Sequence, residues 1–574
     1  MKHLLEYLKD YKKESVLAPL FKMLEASFEL FVPLVVAAVV DNGIPSGDKG
    51  YIAKMFMLMV LLAVVGLISA ITAQYYAAKA AVGVSKNMRN GLFRHIQSLS
   101  FSEIDEIGTS TLITRMTNDI NQVQSGVNLF LRLFLRSPFI VFGAMIMAFT
   151  VDVKGALVFV VTIPLLSVVV FGIMLWTMPL FKKVQQRVDK LLGITKENLE
   201  GARVIRAFRK EQDEIKDFNG ENELLRNFQL KAGKISALMN PITYIIINGA
   251  IIFLMYVGAI RVDGGALKQG QVLALVNYMS QILVELVKLA NLIITVTKAI
   301  ACANRIENVF EVEASIKKET SSDVVETKIV QGTPVVEFKN VSFMYRDGAE
   351  EAVKGIDFTV NEGETVGVIG GTGSGKSTII NLIPRFYDAT GGEVLVDGID
   401  VKEMDVNVLR KKVGVVMQNN LLFKGTIEEN LRFSNPDATD EQIEKAIEIS
   451  CSKEFVDSKE GRLQYMILQG GKNLSGGQKQ RLTIARALVR EPRILILDDS
   501  SSALDYATDA KLRKGIKEMK KGGALVIVSQ RTSSIQHADK IIVMDDGEIV
   551  GIGTHNELLE SCELYKEIHK TQTK

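Results

Sequence analysis

The sequence predicts a multidomain membrane protein: an all-α transmembrane domain of six helices with long cytoplasmic helical extensions, followed by a soluble α/β domain of the P-loop kind. Three observations carry that expectation. Apolar runs of about 20 residues, the length that crosses a bilayer, recur six times in the first three hundred residues. Alternate connections between them are long and rich in Lys and Arg. The remainder contains a strand-like run that enters a glycine-rich loop and then a helical pattern. A chain of 574 residues is too long for one domain, and its 47% hydrophobic content is concentrated in the first part.

The six runs fall near residues 17–40, 52–75, 129–149, 156–178, 242–260 and 272–296. Residues 1–10 are too charged for a cleavable signal peptide and read as an amphipathic helix on the membrane surface. The short connections, 41–49, 151–155 and 261–269, carry Asp41, Asp152 and Asp263. The long ones, roughly 78–124 and 181–237, carry Lys86, Arg89 and Arg94, then Lys182, Lys183, Arg187, Arg203, Arg206 and Arg209. Basic loops stay in the cytoplasm, so both termini and the soluble domain are expected there, in a bacterial inner membrane. Cys302, Cys451 and Cys562 are isolated and expected as reduced thiols. The net charge of +2 gives no sign of a nucleic-acid partner.

The long connections keep a helical period, so they extend the spans into the cytoplasm. Each is expected to contain a non-helical interruption, at residues 101–108 with 114–119 following, and at 197–208. Polar residues inside spans are expensive and therefore informative. Asn277, Gln281, Glu285 and Lys288, spaced by four, four and three, share one face of the sixth span. Arg132 and Arg136 lie one turn apart in the third. Two readings stay open: the wall of a water-filled pathway, or interhelical bonds including a buried Glu–Arg pair that holds the bundle. Trp176, with Met174 and Met178, reads as a span-end anchor.

The expected boundaries are a membrane domain over 1–311, a polar linker over 312–334 and a soluble domain over 335–574. Gly370-Gly371-Thr372-Gly373-Ser374-Gly375-Lys376-Ser377-Thr378 follows an apolar strand and fits G-x-x-x-x-G-K-[ST]. Glycines let successive N–H groups curl around a phosphate, and the helix that follows presents its positive pole to it. Lys376 is placed to reach the terminal phosphates and Ser377 to ligate Mg²⁺. A second apolar strand ends in Asp498, a candidate Mg²⁺ partner.

Leu474-Ser475-Gly476-Gly477-Gln478, opening a helix, closely resembles the signature motif of ABC proteins. The resemblance covers the whole chain, six spans then one cassette, in the order of an exporter half-transporter. It implies ATP and Mg²⁺ as cofactors, adenine stacking on Tyr345, and metal sensing by Gln418. It implies a D-loop at Ser502, Ala503, Leu504 and Asp505. The interruptions in the long connections resemble the intracellular loops by which ABC exporters rest on their nucleotide-binding domains. Two positions depart from the family: Asp499 stands where a catalytic Glu is usual, and Gln530 where a switch His is usual. Gln469 also replaces a usual Glu. Asp is one methylene shorter, a loss of reach of about 1.5 Å, and Gln lacks the imidazole's titration. With the signature intact, the chain resembles the degenerate-site subunit of bacterial heterodimeric multidrug exporters. That implies a Glu-bearing partner half-transporter and export of hydrophobic or amphipathic compounds from the lipid bilayer. The alternatives are a homodimeric lipid or peptide exporter with Asp499 as a slow base, or a non-hydrolytic ATP-sensing regulatory subunit.

Overall fold

A computed structural model describes residues 2–316, 332–346, 348–499, 505–519 and 523–572. Most of the expected linker, residues 317–331, lies outside them. The chain divides into two compact units, one of residues 1–97 and 108–313, the other of Ser98–Ile107 with Ala314–Lys574.

Among the described residues the first unit holds the six helical segments long and apolar enough to cross a membrane. They are Lys12–Ser46, Lys49–Ser98, Thr109–Val151, Val153–Glu200, Glu211–Asp263 and Gln269–Phe310. In hydrocarbon every backbone N–H must bond within its own segment, which is why these stretches are helical. A separate helix, Lys2–Lys9, precedes them. Helices meet through small residues: Ala26, Ala144, Ala148, Ala156 and Ala274 are fully or almost fully buried around Phe159, Tyr278 and Met279. Large apolar side chains such as Val161, Val168, Ile245 and Phe253 face outward. The short connections meet at one end. Asp41 accepts from the Gly270 amide at 2.6 Å, and Asp152 caps the helix Val153–Glu200 while pairing with Arg261 at 2.6 Å.

Two local expectations are corrected. Residues 101–108 do not interrupt the helix as coil; Phe101–Ile107 is itself helical, and the breaks fall at Leu99–Ser100 and Gly108. Glu103 reaches back to the Ser100 amide at 2.7 Å, half of a capping box that starts a new helix. Likewise Ala202–Ala207 is a short helix between breaks at Gly201 and residues 208–210. Arg115–Asp119 forms a π-helical turn. In the third span the helices Ile120–Leu133 and Arg136–Val151 are joined by Phe134 and Leu135, which keep right-handed helical dihedrals, so Arg132 and Arg136 remain about one turn apart within the segment Thr109–Val151. Pro138, which lacks an N–H for the preceding turn, accounts for the local gap in hydrogen bonding there.

The second unit is α/β. Among its described residues a six-stranded sheet runs in the order Glu548–Gly553, Lys540–Asp545, Thr365–Gly370, Ala524–Val528, Ile494–Asp498, Val413–Val416, parallel except for the first pair. A four-stranded antiparallel sheet packs beside it, built on Val336–Phe343. The parallel strands are continuous apolar runs because both faces are covered: Ile494–Asp498 and Ala524–Val528 are buried throughout.

Candidate functional site

The register of the parallel sheet brings the sequence motifs together. Val528 pairs with Asp498 on one side and Val368 on the other. The residues after those strands, the glycine-rich loop, Asp498-Asp499 and Ser529-Gln530, therefore emerge at one carboxyl edge, where open α/β sheets bind ligands. They line one cleft of about 120 Å³ with Thr372, Gly373, Lys376, Ser377 and Gln418.

The loop is shaped for an anion. Gly375 has φ of +91°, and a Cβ there would sit 2.7 Å from the Ala352 carbonyl oxygen, so only glycine fits. Around Gly371 the space is open, as a phosphate cradle requires. Lys376 is buried and bonds the Gly371 carbonyl and the Ser374 hydroxyl. Burial pushes its pKa down, with Asp498 and Asp499 opposing; a buried cation short of charge partners is suited to a polyphosphate. Gly370 ends the strand, tight against the Met544 carbonyl, and Thr378 is buried in the following helix, Lys376–Leu382. The Ser377 hydroxyl lies 3.3 Å from Asp498 Oδ2, a hydroxyl–carboxylate pair of the kind that holds Mg²⁺ beside phosphate. Tyr345, half exposed, places its hydroxyl 3.0 Å from Thr378 Oγ1.

Asp498 and Asp499 face the same cleft, and their carboxyls are both held above the usual carboxylate range, chiefly by burial; at Asp498 the neighbouring charge of Asp499 adds to this. Asp499 takes a left-handed backbone, φ +44°, which Asp tolerates better than most residues. Its amide donates to the Val528 carbonyl at 2.9 Å, and the Gln418 side chain hydrogen-bonds its carboxylate. Gln530 is exposed at the cleft edge.

The second motif stands apart from that cleft. Ser475 is the N-cap of the helix Gly476–Leu488, with a reciprocal box to Gln478: the Gln478 amide donates to Ser475 Oγ at 3.3 Å, and the Ser475 amide to Gln478 Oε1 at 3.0 Å. Leu474 is buried beneath it, while Ser475 and Gly476 are exposed and Gly477 is half-buried. Gln469 is exposed just before it. Asp505 caps the helix Tyr506–Met519 through Thr508, whose hydroxyl is 2.7 Å away. Ser502, Ala503 and Leu504 lie outside the described residues.

In the membrane unit Arg136 and Glu285 meet. Arg136 bonds Glu285 at 2.6 Å and Glu29 at 2.8 Å, and Glu285 also accepts from Ser137 at 2.8 Å and Lys288 at 2.7 Å. Asn277, Ser280, Gln281, Glu285, Lys288 and Glu29 line a cavity of about 470 Å³ together with apolar Val32, Val36 and Val284. Arg132 is not among the residues that line this cavity. Glu29 was not singled out from sequence, though two glutamates in the first apolar run, Glu25 and Glu29, were a visible signal. Ser529 in the nucleotide cleft was also missed, and a small hydroxyl beside an apolar strand gives no distinguishing pattern.

Comparison with known proteins follows the same division. The family "ABC transporter transmembrane region" matches residues 15–286, and "ABC transporter" matches residues 353–502. An uncharacterized ABC transporter ATP-binding protein of Mycobacterium tuberculosis is 34% identical over 99% of this chain and 97% of its own. YgaD of Bacillus subtilis, provisionally named a multidrug export ATP-binding/permease protein, is 33% identical over 100% and 99%. An ATP-dependent lipid A-core flippase of Hahella chejuensis is 31% identical over 99% and 96%. In fold, the chain resembles a bacterial Atm1-family ABC exporter with ATP bound, with a TM-score of 0.79 at 22% identity over 98% of each chain. The chain therefore belongs to the ABC transporters, as a half-transporter of the exporter fold whose multi-pass membrane region and ATP-hydrolysing cassette share one polypeptide.

Proposed function

We propose that this chain is one half of a heterodimeric exporter, giving the P-loop side to a slow ATP site and an intact signature to a partner's fast one. The observation that carries this reading is one cleft in which two altered positions, Asp499 and Gln530, sit beside unaltered Lys376, Ser377, Gln418 and Asp498. ATP phosphates belong on the loop amides and Lys376, and Mg²⁺ between Ser377 and Asp498. The ion, when bound, draws charge from the phosphate oxygens. Asp499 reaches about 1.5 Å less far than Glu, and loss of a positioned base costs about 10²–10⁴-fold in rate. Ser475 and Gly476, exposed at a helix N-terminus, suit the γ-phosphate of a nucleotide held by another subunit. The partner carries Glu and His at the positions of Asp499 and Gln530.

ATP binding favours the outward-facing state through its different affinities for the two states, and hydrolysis on the partner's site releases it. The cassette and both termini are cytoplasmic in a bacterial inner membrane, in keeping with the basic long connections. The cargo is hydrophobic or amphipathic, which the mixed lining of the cavity at Glu285 and the names of the two exporting relatives support.

The test is Mg²⁺-dependent ATP turnover in lipid, with the chain alone and then co-expressed with its genomic neighbour. Near-zero activity alone, and activity together that survives Asp499→Ala, is the expected result. Full turnover alone replaces this reading with a homodimeric exporter in which Asp499, held by Gln418, is a working base.

A further inference from the structure

The helix Phe101–Ile107 belongs to the nucleotide-binding unit, and aromatic side chains connect it to the nucleotide cleft. Tyr345 stands beside the P-loop, its hydroxyl on Thr378, and the residue is 47% exposed. The edge of Tyr387 meets that ring at 5.3 Å and 82°, and Phe343 packs against both at 4.8 and 5.5 Å. On its other side Tyr387 lies 6.2 Å from Phe101, whose ring is 4.8 Å from Phe386. The Tyr387 hydroxyl donates to Asp105 Oδ2 at 2.6 Å. Burial, helped by that carboxylate, holds its pKa well above the ordinary phenol value, so the donor keeps its proton at any physiological pH. The helix is fastened at its start as well, where the Ile316 amide donates to Ser100 Oγ at 3.1 Å.

We propose that Tyr387 is a positioning residue that links base occupancy at Tyr345 to the first intracellular helix, through its ring on one side and its bond to Asp105 on the other. A base stacked on the exposed face of Tyr345 fixes that ring, and with it the surface against which Tyr387 packs. Phe101–Ile107 follows, after a two-residue break, the long helix Lys49–Ser98 that carries the second span. A change in how Asp105 is held is therefore delivered to the covalent end of a membrane-crossing segment. Linkage requires the reverse effect too: loosening Asp105, which bonds Tyr387, weakens ATP binding. The proposal rests on Tyr345 as the adenine platform.

Equilibrium binding of labelled ATP to the full-length protein, without Mg²⁺ so that nothing is hydrolysed, tests both. Tyr387→Phe keeps the ring and removes only the hydroxyl; Asp105→Asn removes the charge. Each single variant is expected to weaken binding about five-fold, and the double variant no further, as one shared link requires. Tyr345→Ala is expected to weaken it at least about ten-fold. Unchanged affinity in Tyr345→Ala removes the platform and the proposal together. A loss there, with unchanged or multiplying effects at Tyr387 and Asp105, overturns the proposal alone. A second readout separates linkage from affinity: maleimide labelling of Glu106→Cys, in a Cys451→Ser background, at saturating ATP. ATP is expected to change the labelling rate in the otherwise unaltered chain and to leave it unchanged in Tyr387→Phe; equal responses in both overturn the link.

Discussion

The two halves of the ATP machinery on this chain are built on opposite plans. The P-loop side is enclosed: Lys376, Ser374 and Asp498 are buried, with Lys376 bonded to the Ser374 hydroxyl and Ser377 to Asp498 at the end of a sheet. The signature side is displayed: Ser475 and Gly476 lie at the surface, held only by a capping box with Gln478. Both departures from the family at the chemical step, Asp499 and Gln530, fall on the enclosed side. Groups that bind are kept on both sides, while groups that activate water are changed on one. An enclosed half-site can lose chemistry and still hold nucleotide; a displayed half-site, on the proposed reading, serves a nucleotide held elsewhere.

The largest effect should therefore come from the displayed side. In the co-expressed transporter, Ser475→Ala is expected to lower ATP turnover about 10²-fold, the usual size for removing one transition-state donor. Asp499→Ala should leave it within about two-fold, because a site already lacking a positioned base has little of that base's 10²–10⁴-fold to lose. Steady-state turnover of the two variants checks this, with melting curves to account for the lost cap, about 1 kcal/mol. If the two effects exchange size, the division into binding and chemical sides is wrong.

Restoring the enclosed side comes next. Asp499→Glu in the chain alone should raise turnover by about 10²-fold, and Gln530→His should add to it only when Glu is present, since each needs the other around the same water. A rate that stays flat in Asp499→Glu with nucleotide bound places the defect elsewhere.

A smaller effect appears in stability. The Asp498 carboxyl is pushed up chiefly by burial, and by Asp499 beside it. A raised carboxyl pKa means the folded cassette holds that proton more tightly than the unfolded chain does. Its contribution to stability is greatest below the ordinary carboxylate range and is lost as pH rises toward the raised value. Asp498→Asn removes this loss. The nucleotide-free protein should then melt higher at pH 7.5, by about 2–4 °C for each kcal/mol relieved, and lose less on going from pH 5 to 7.5. An unchanged or lower melting temperature at pH 7.5 would mean that Lys376 already compensates the charge.

Much of this was legible in the chain. Six apolar runs became six membrane-length helices because hydrocarbon leaves the backbone no other solution. The loop ending at Lys376-Ser377 and the strand ending at Asp498 landed in one cleft because parallel strands share a carboxyl edge. What failed were breaks and partners. The helicity of Phe101–Ile107 was hidden because its cap is Glu103 reaching back to Ser100, not a residue of the preceding helix. Arg136 finds Glu29 and Glu285, partners 107 and 149 positions away that no local pattern joins to it. Asp105 and Tyr387 are 282 positions apart, and no local pattern joins them.

The same holds for the residue behind the smallest expected effect. Gln572, near the end of the helix Glu563–Gln572, clasps the turn that carries Gln530. Its Nε2 donates to the Gln530 carbonyl at 2.6 Å, and its Oε1 accepts from the Thr532 amide at 2.8 Å. The clasp acts on the backbone at and just after the switch position, flanking Arg531, so it works whether a His or a Gln stands there. Gln572→Met preserves length and removes these bonds and a third from the Thr532 hydroxyl at 3.2 Å, of the order of 1 kcal/mol each at most. ATP retention at this chain's site, followed as release of trapped nucleotide from the co-expressed transporter, should weaken about five-fold. Turnover at the partner's site should stay within about two-fold, since on the proposed heterodimer that site does not draw on the turn carrying Gln530. Equal losses at both sites would show that Gln572 steadies the whole cassette and not the enclosed half-site alone.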